Sequence, residues 1–148
     1  MKYKDKMKCF FGIILNLDNF NFFAPFTSYK KKFKTMKNDL DFYKIVDSKS
    51  GKIYGAINLN NMIPVCPNDF REVSFDNLES FRYFDNLREK KLYWKLLSKE
   101  LGLINERLLI DNAEIIYILK YLAPEKNISR RCCDFSLLKE KCKDYCSK

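Results

Sequence analysis

Residues 9–27 read CFFGIILNLDNFNFFAPFT, and the alternation in this stretch decides the fold. Cys9 to Leu17 is a short apolar run rich in Phe and Ile, Asp18-Asn19 interrupts it, and Phe20 to Thr27 resumes it. Asp and Asn tolerate the positive φ that a tight turn demands, so the pattern predicts two antiparallel strands joined as a hairpin. By the period of two, Phe20, Phe22, Ala24 and Phe26 share one face of the second strand, and that face is expected in the core. Pro25 has no N–H to give a ladder, which predicts that this strand is an edge or ends there. The chain then leaves the sheet near Thr27-Ser28, exposing both hydroxyls and the lysines behind them.

Working outward, Phe42 to Val46 and Ile53 to Leu59 read as a second hairpin about Ser48-Lys49-Ser50-Gly51. Met62 to Val65 reads as a short further strand closed by Pro67. The second half changes period. Leu92, Tyr93, Leu96, Leu97, Leu101 and Ile104 fall at helical spacing. Asp111, three residues before Glu114, resembles a capping box and predicts a helix through Ile115, Ile116, Leu119 and Leu122, stopped before Pro124. A last helix is expected through Phe135, Leu138, Cys142 and Tyr145. Strands followed by helices imply an α+β protein, a mostly antiparallel sheet with helices packed around it. With 148 residues, one domain over 1–148 is expected.

Composition narrows the chemistry. Hydrophobic residues at 47% with 32% charged describe a chain that can build a packed interior, which excludes a disordered tail. The net charge is +9, and residues 1–37 hold +7 of it: Lys2, Lys4, Lys6, Lys8, Lys30, Lys31, Lys32, Lys34 and Lys37 against Asp5 and Asp18. A surface that basic attracts phosphate-bearing polymers first, and the first quarter of the chain is expected to supply it. There is no histidine, which removes Ser-His-Asp, Cys-His and His-metal schemes and the usual general base at neutral pH. No stretch approaches the roughly 20 apolar residues of a membrane span, and Met7 to Leu17 is too short and too interrupted for a signal peptide, so a cytoplasmic protein is expected.

That location predicts that the six cysteines, Cys9, Cys66, Cys132, Cys133, Cys142 and Cys146, stay reduced. They contain no CxxC pair, and vicinal Cys132-Cys133 followed much later by Cys142 and Cys146 is a poor tetrahedral zinc pattern. Buried thiols on a helix face are the better reading. Neither metal nor cofactor is expected.

The segment Ala24 to Lys32, APFTSYKKK, concentrates what phosphodiester chemistry needs. Hydroxyls on Thr27 and Ser28 can hold non-bridging phosphate oxygens, and an ammonium two residues on can neutralise the charge of a pentacoordinate transition state. The same residues also read as a turn whose Ser and Thr bond their own backbone, followed by a solvated lysine run. A DNA-binding domain is a weaker reading, because no recognition-helix signature is present.

Four segments in order add a resemblance covering most of the chain from Lys8 onward: CFFGIIL at 9–15, APFTSYK at 24–30, INLNNMIPV at 57–65 and DFSLLKEK at 134–141. Together they resemble the ToxN/AbiQ family, the protein toxins of type III toxin–antitoxin systems. The resemblance implies a metal-independent endoribonuclease with a role in abortive infection against phage, held inactive by a small repeated RNA antitoxin. It implies a twisted antiparallel sheet with a Kid/MazF-like barrel core, elaborated with helices. Carried over by position, the family's active-site Thr-Ser-x-Lys falls on Thr27, Ser28 and Lys30, and the lysine before the first matching strand falls on Lys8.

Two departures accompany it. Tyr29 stands where the family usually has proline, a change that either alters the rigidity of the loop or places a phenol that binds RNA by stacking on a base. Before Lys8 the family carries a further strand and pocket-lining aromatics, where this chain has MKYKDKM. The reaction implied is attack of the ribose 2′-OH on its own phosphate, giving a 2′,3′-cyclic phosphate. Thr27 and Ser28 hold the phosphate, and Lys30 and Lys8 stabilise the phosphorane. Lys4, Lys6, Lys31, Lys32, Lys34 and Lys37 are expected to bind RNA alongside Tyr29. Expected partners are the RNA antitoxin and cellular or phage RNA, in a protein–RNA hetero-oligomer that closes into a ring if each RNA bridges two protein surfaces. The alternative is a non-catalytic RNA-binding protein that only binds the antitoxin.

Overall fold

The computed structural model describes residues 10–148, which fall into two compact units: residues 10–70 with 105–148, and residues 71–104. The larger unit is built on the expected hairpin. β1 (Phe10–Leu17) and β2 (Phe20–Ser28) pair antiparallel with Leu17 opposite Phe20. Asp18 and Asn19 between them take φ of 51° and 64°, the left-handed pair that turns a two-residue hairpin. β3 (Phe42–Val46) and β4 (Ile53–Asn58) form the second hairpin, closed where the Gly51 N–H donates to the Asp47 carbonyl and Gly51 itself adopts φ 69°. β5 (Ile63–Val65) completes the sheet by pairing with β2.

The strand order is β1-β2-β4-β3 with β5 also on β2, so β2 is central and not an edge. Pro25 is tolerated because β2 changes partner there. Residues Asn21 to Phe23 pair with β5 and residues Phe26 to Ser28 pair with β4, leaving Ala24 and Pro25 without a ladder partner on that side. The architecture is α+β as expected, but the described sheet is open. β1 and β3 end its path without pairing to each other, and the Kid/MazF-like barrel core that the resemblance implies is not formed by these strands.

Helices cover the sheet. α2 (Glu106–Leu122) and α4 (Phe135–Cys146), with the single-turn α3 (Asn127–Arg131) between them, belong to the larger unit. Of the four residues expected on the core face of β2, Phe22 and Ala24 are fully buried, whereas Phe20 and Phe26, nearer the strand ends, are half-buried. Phe22 meets Tyr117 of α2 and Phe135 of α4 edge-on at 6.1 and 6.2 Å, and those two rings stack on each other at 5.6 Å. The cap of α2 is Asn105, whose side chain accepts from the Leu108 N–H at 3.1 Å; Asp111 lies inside the helix and caps nothing. A cap is set by where the chain turns extended. At Asn105 it does so, with φ −84° and ψ 92°.

In the smaller unit, α1 (Leu87–Gly102) is the helix expected from spacing, capped by Asn86 accepting from the Glu89 N–H at 2.9 Å. Its covered face is rotated from the all-apolar stripe. Lys90, Tyr93, Trp94, Leu97, Glu100 and Ile104 are buried or half-buried, whereas Leu92, Leu96 and Leu101 are exposed. Lys90 can be buried because its ammonium lies over the Phe75 ring, with Nζ 4.4 Å from the ring centre, and pairs with Glu79 at 2.7 Å. Arg82 stacks over Tyr93 and Phe84 and reaches Glu89 at 3.0 Å.

The described cysteines do not all stay reduced. Cys66, just past β5, is disulfide-bonded to Cys146 at the end of α4, across 80 residues of sequence. The expectation of reduced thiols rested on compartment; the packing of α4 against β5 brings the two Cα atoms to 5.9 Å, within bonding range. Cys132, Cys133 and Cys142 are free. Burial, with help from Asp41, pushes the Cys132 thiol up to about 11, which makes it unreactive.

Candidate functional site

The candidate residues gather where β2 runs out. Thr27 pairs with Ala56 and Ser28 with Gly55 on β4, and the Tyr29 N–H adds one more bond to the Tyr54 carbonyl before the chain departs. This close pairing requires Gly55. A Cβ there would lie 2.5 Å from the Thr27 carbonyl oxygen and 3.0 Å from the Phe26 ring. Side chains alternate along a strand, so Thr27 stands on the face of Ala56 and Asn58, and Ser28 stands on the other side of the ribbon at its exposed end. Asn58 Nδ2 donates to Thr27 Oγ1 at 3.3 Å, which occupies the hydroxyl oxygen as an acceptor and leaves its proton to point elsewhere.

The lysines follow at once. Lys30 is extended at the head of a 3-10 turn over Lys31–Lys34, and its carbonyl accepts from the Phe33 N–H at 2.8 Å. That turn is anchored by Phe33, which is buried against Phe42 and Ala56. An anchored Phe33 forces the flanking Lys30, Lys31, Lys32 and Lys34 outward, and all four are exposed, as are Tyr29 and Lys37. The sequence-derived set Thr27, Ser28, Tyr29, Lys30, Lys31, Lys32 and Lys34 is thus one continuous rim. Lys4, Lys6 and Lys8 lie outside the described residues.

Asn58, the partner of Thr27, also lines a cleft of about 330 Å³ with Met36, Lys37, Asp39, Asp41 and Asn60 together with Phe42 and Arg131. Arg131 closes one wall. Its Nε and Nη2 both donate to the nearly buried Asp41 at 2.9 Å, and Nη2 also reaches Asp39 at 3.2 Å. The Asp41 hydrogen bonds hold the guanidinium proton more tightly than usual. Asn60 Nδ2 donates to the Arg131 carbonyl at 3.4 Å, while Asn60 Oδ1 is buried with no donor among the described residues. Two acids offset Lys37 and Arg131, so this cleft is polar without being strongly cationic.

Asn58, Asn60, Asp41 and Arg131 were not legible as site residues in the sequence. Asn58 and Asn60 belong to the INLNNMIPV segment, but Arg131 comes from α3, 90 residues from Asp41, and no local pattern links them.

The family profile described as Toxin ToxN, type III toxin-antitoxin system, matches residues 1–143. The chain belongs to the ToxN toxin family. Among its relatives is the Endoribonuclease ToxN of Bacillus thuringiensis subsp. kurstaki, 24% identical over 140 residues, covering 90% of this chain and 66% of the relative. This ToxN-family chain therefore spans just under two thirds of that relative's length. Among solved structures, AbiQ, a lactococcal anti-phage endoribonuclease of a type III system, superposes with TM-score 0.73 at 23% identity, covering 94% of this chain and 80% of AbiQ. A type III toxin selectively inhibited by a non-coding RNA pseudoknot superposes at 0.74, with 23% identity and the same coverage. A structure of a bacterial antiviral system regulated by a processed non-coding RNA superposes at 0.72 and 26% identity, over 93% of this chain and 78% of that one. The ToxN-family fold is shared through these superpositions.

Proposed function

We propose that this chain is an endoribonuclease toxin domain, spanning residues 1–148, that cuts RNA without a metal at the reacting phosphate. The observation that carries the reading is the end of β2. There Thr27, with its oxygen held by Asn58, and Ser28, at the exposed strand end, sit immediately before a rim of exposed lysines, in a chain of the ToxN family.

RNA supplies its own nucleophile, the ribose 2′-OH. The protein's task is to align that oxygen with the phosphate and to stabilise the charge that builds on the non-bridging oxygens. The Thr27 proton and the Ser28 hydroxyl donate to the scissile phosphate, and Lys30 supplies the cation, with Lys8 as a second. The 2′-hydroxyl gives up its proton as its oxygen bonds to phosphorus, the bond from phosphorus to the 5′-oxygen breaks as that oxygen takes up a proton, and the product ends in a 2′,3′-cyclic phosphate. The neighbouring cleft, lined by Asn58 and Asn60, takes a nucleotide beside the scissile bond. Tyr29 stacks on a flanking base, and the lysines at 31, 32, 34 and 37 carry the flanking phosphates.

The inhibitor is proposed to be an RNA of repeated units bound in the same groove as product, with toxin and RNA alternating in a closed assembly. The protein acts in the cytoplasm in abortive infection against phage; no described helix is long and apolar enough to cross a membrane. Purified protein, kept non-reduced, is expected to cut single-stranded RNA in EDTA and to leave cyclic-phosphate ends. Strict dependence on magnesium would sink the mechanism. Sequencing of copurifying RNA is expected to return one discrete repeat. If the repeat is found but no cleavage, the non-catalytic RNA-binding reading replaces this one.

A further inference from the structure

Away from the β2 terminus, three sulfurs meet. Cys66 lies at the end of β5, and Cys142 and Cys146 are one helical turn apart on α4, so their side chains share a face. All three Sγ atoms lie within 4.8 Å of one another. Cys142 Sγ is 3.9 Å from Cys66 Sγ and 3.7 Å from Cys146 Sγ. Thiolates on a tetrahedral zinc ion, each bonded at about 2.3 Å, stand about 3.8 Å apart, so two of the three edges already have the spacing of a zinc-thiolate site. The third edge is the Cys66–Cys146 disulfide. A carboxylate for the fourth position comes from the adjoining cleft, which Asp69 lines; its N–H donates to the Cys66 carbonyl at 3.0 Å, and its charge acts on Cys142. A cleft of about 380 Å³ lined by Cys66, Asp69, Tyr145 and Cys146 gives an ion a way in.

We propose that Cys66, Cys142 and Cys146, with Asp69, form a binding site for one thiophilic divalent cation, Zn²⁺, in the reduced protein. A dithiol reductant breaks the Cys66–Cys146 bond by giving two electrons and two protons and is itself oxidised to a disulfide. The three thiols then lose their protons to solvent as the ion binds. Soft thiolates with one carboxylate select zinc over magnesium or calcium. Metal and disulfide are alternative ways of fastening the last turn of α4 to β5. The site is structural with respect to cleavage. Cys66 follows the residue paired with Asn21, whereas Thr27 lies six residues further along β2, a separation of about 20 Å.

The test uses the full chain after complete reduction and removal of the reductant under inert gas, titrated with Co²⁺ and then Zn²⁺. The expected result is one cobalt per chain with the thiolate charge-transfer band of a tetrahedral site, displaced by one equivalent of zinc. Cys142→Ser, which leaves the disulfide pair intact during folding, is expected to weaken zinc at least ~10²-fold. Cys133→Ser is expected to change nothing. No cobalt band in the folded, reduced chain, or equal zinc affinity in Cys142→Ser and the parent, overturns the proposal. Because the cleavage assay above is run on the oxidised chain, where this site is closed, loss of either result leaves the other standing.

Discussion

At the residue scale, the candidate site depends on groups whose worth can be separated by substitution. Ser28 and Lys30 are exposed and contribute nothing to the core. Ser28→Ala or Lys30→Ala is therefore expected to lower the cleavage rate by ~10² or more with the fold intact, read from initial rates beside circular dichroism. Full activity in both variants would place the chemistry elsewhere. Gly55 tests the scaffold beneath them. In Gly55→Ala the new methyl meets the backbone oxygen of Thr27, which cannot swing aside as a side-chain end can. The expected outcome is a loss of about 1–3 kcal/mol in stability and a fall in cleavage, measured by denaturant titration and rate. Gly102→Ala, with open space at its Cβ, serves as the comparison and is expected to leave cleavage unchanged. The resemblance singled out Thr27, Ser28 and Lys30 because they are adjacent; Asn58 and Arg131 reach the same place through sheet register and helix packing, and no spacing rule announces them.

At the element scale, a helix start is fixed by its cap, and each of the three long helices among the described residues is capped by an Asn or Asp side chain. Asp134 begins α4 by accepting from the Leu137 N–H at 3.1 Å, and Tyr121 of α2 donates its hydroxyl to the same carboxylate oxygen at 3.2 Å. The backbone bond from Leu137 is the main reason its carboxyl titrates below the usual aspartate value. A depressed carboxylate contributes stability that is present above the unfolded pKa and is lost as pH falls through the folded one. Asp134→Asn keeps the cap but removes the charge. The stability difference between parent and variant is thus expected to be largest at neutral pH and to shrink toward zero as pH drops below about 4, followed by denaturant midpoints across pH. A constant difference at every pH would show that the charge at this cap is immaterial. The cap of α2 illustrates the limit of sequence patterning. Asp111 and Glu114 have the right spacing, but a helix already under way at Glu106 makes that spacing meaningless.

At the scale of the whole molecule, the uneven charge predicts a directed RNA surface. Reversing Lys31, Lys32 and Lys34 together is expected to weaken RNA binding and flatten its salt dependence, each lost phosphate contact reducing the slope by roughly 0.7 for a single strand. Reversing Lys126, Lys141 and Lys143 is expected to do less, measured by fluorescence anisotropy over a salt series. Lys139 is left out of the comparison because it pairs with Asp18 at 2.6 Å and ties α4 to the β1–β2 turn. Equal slopes from the two triple variants would mean that the charge asymmetry along the chain does not survive as asymmetry in space.

The sequence by itself determined both hairpins, the left-handed Asp18-Asn19 turn, the fully buried positions Phe22 and Ala24, the α4 helix and the exposed lysine rim after β2. These follow from local rules: backbone preference at a turn, alternation along a strand, and periodicity along a helix. Tertiary structure alone decided that β2 is central despite Pro25, because a partner change in the middle of a strand depends on which other strands arrive. It alone placed Asn58 against Thr27 and Arg131 against Asp41, and drew Cys66 to Cys142 and Cys146. Each of these joins residues 31 to 90 positions apart, and such contacts are made by the packing of whole elements, which no window of sequence contains.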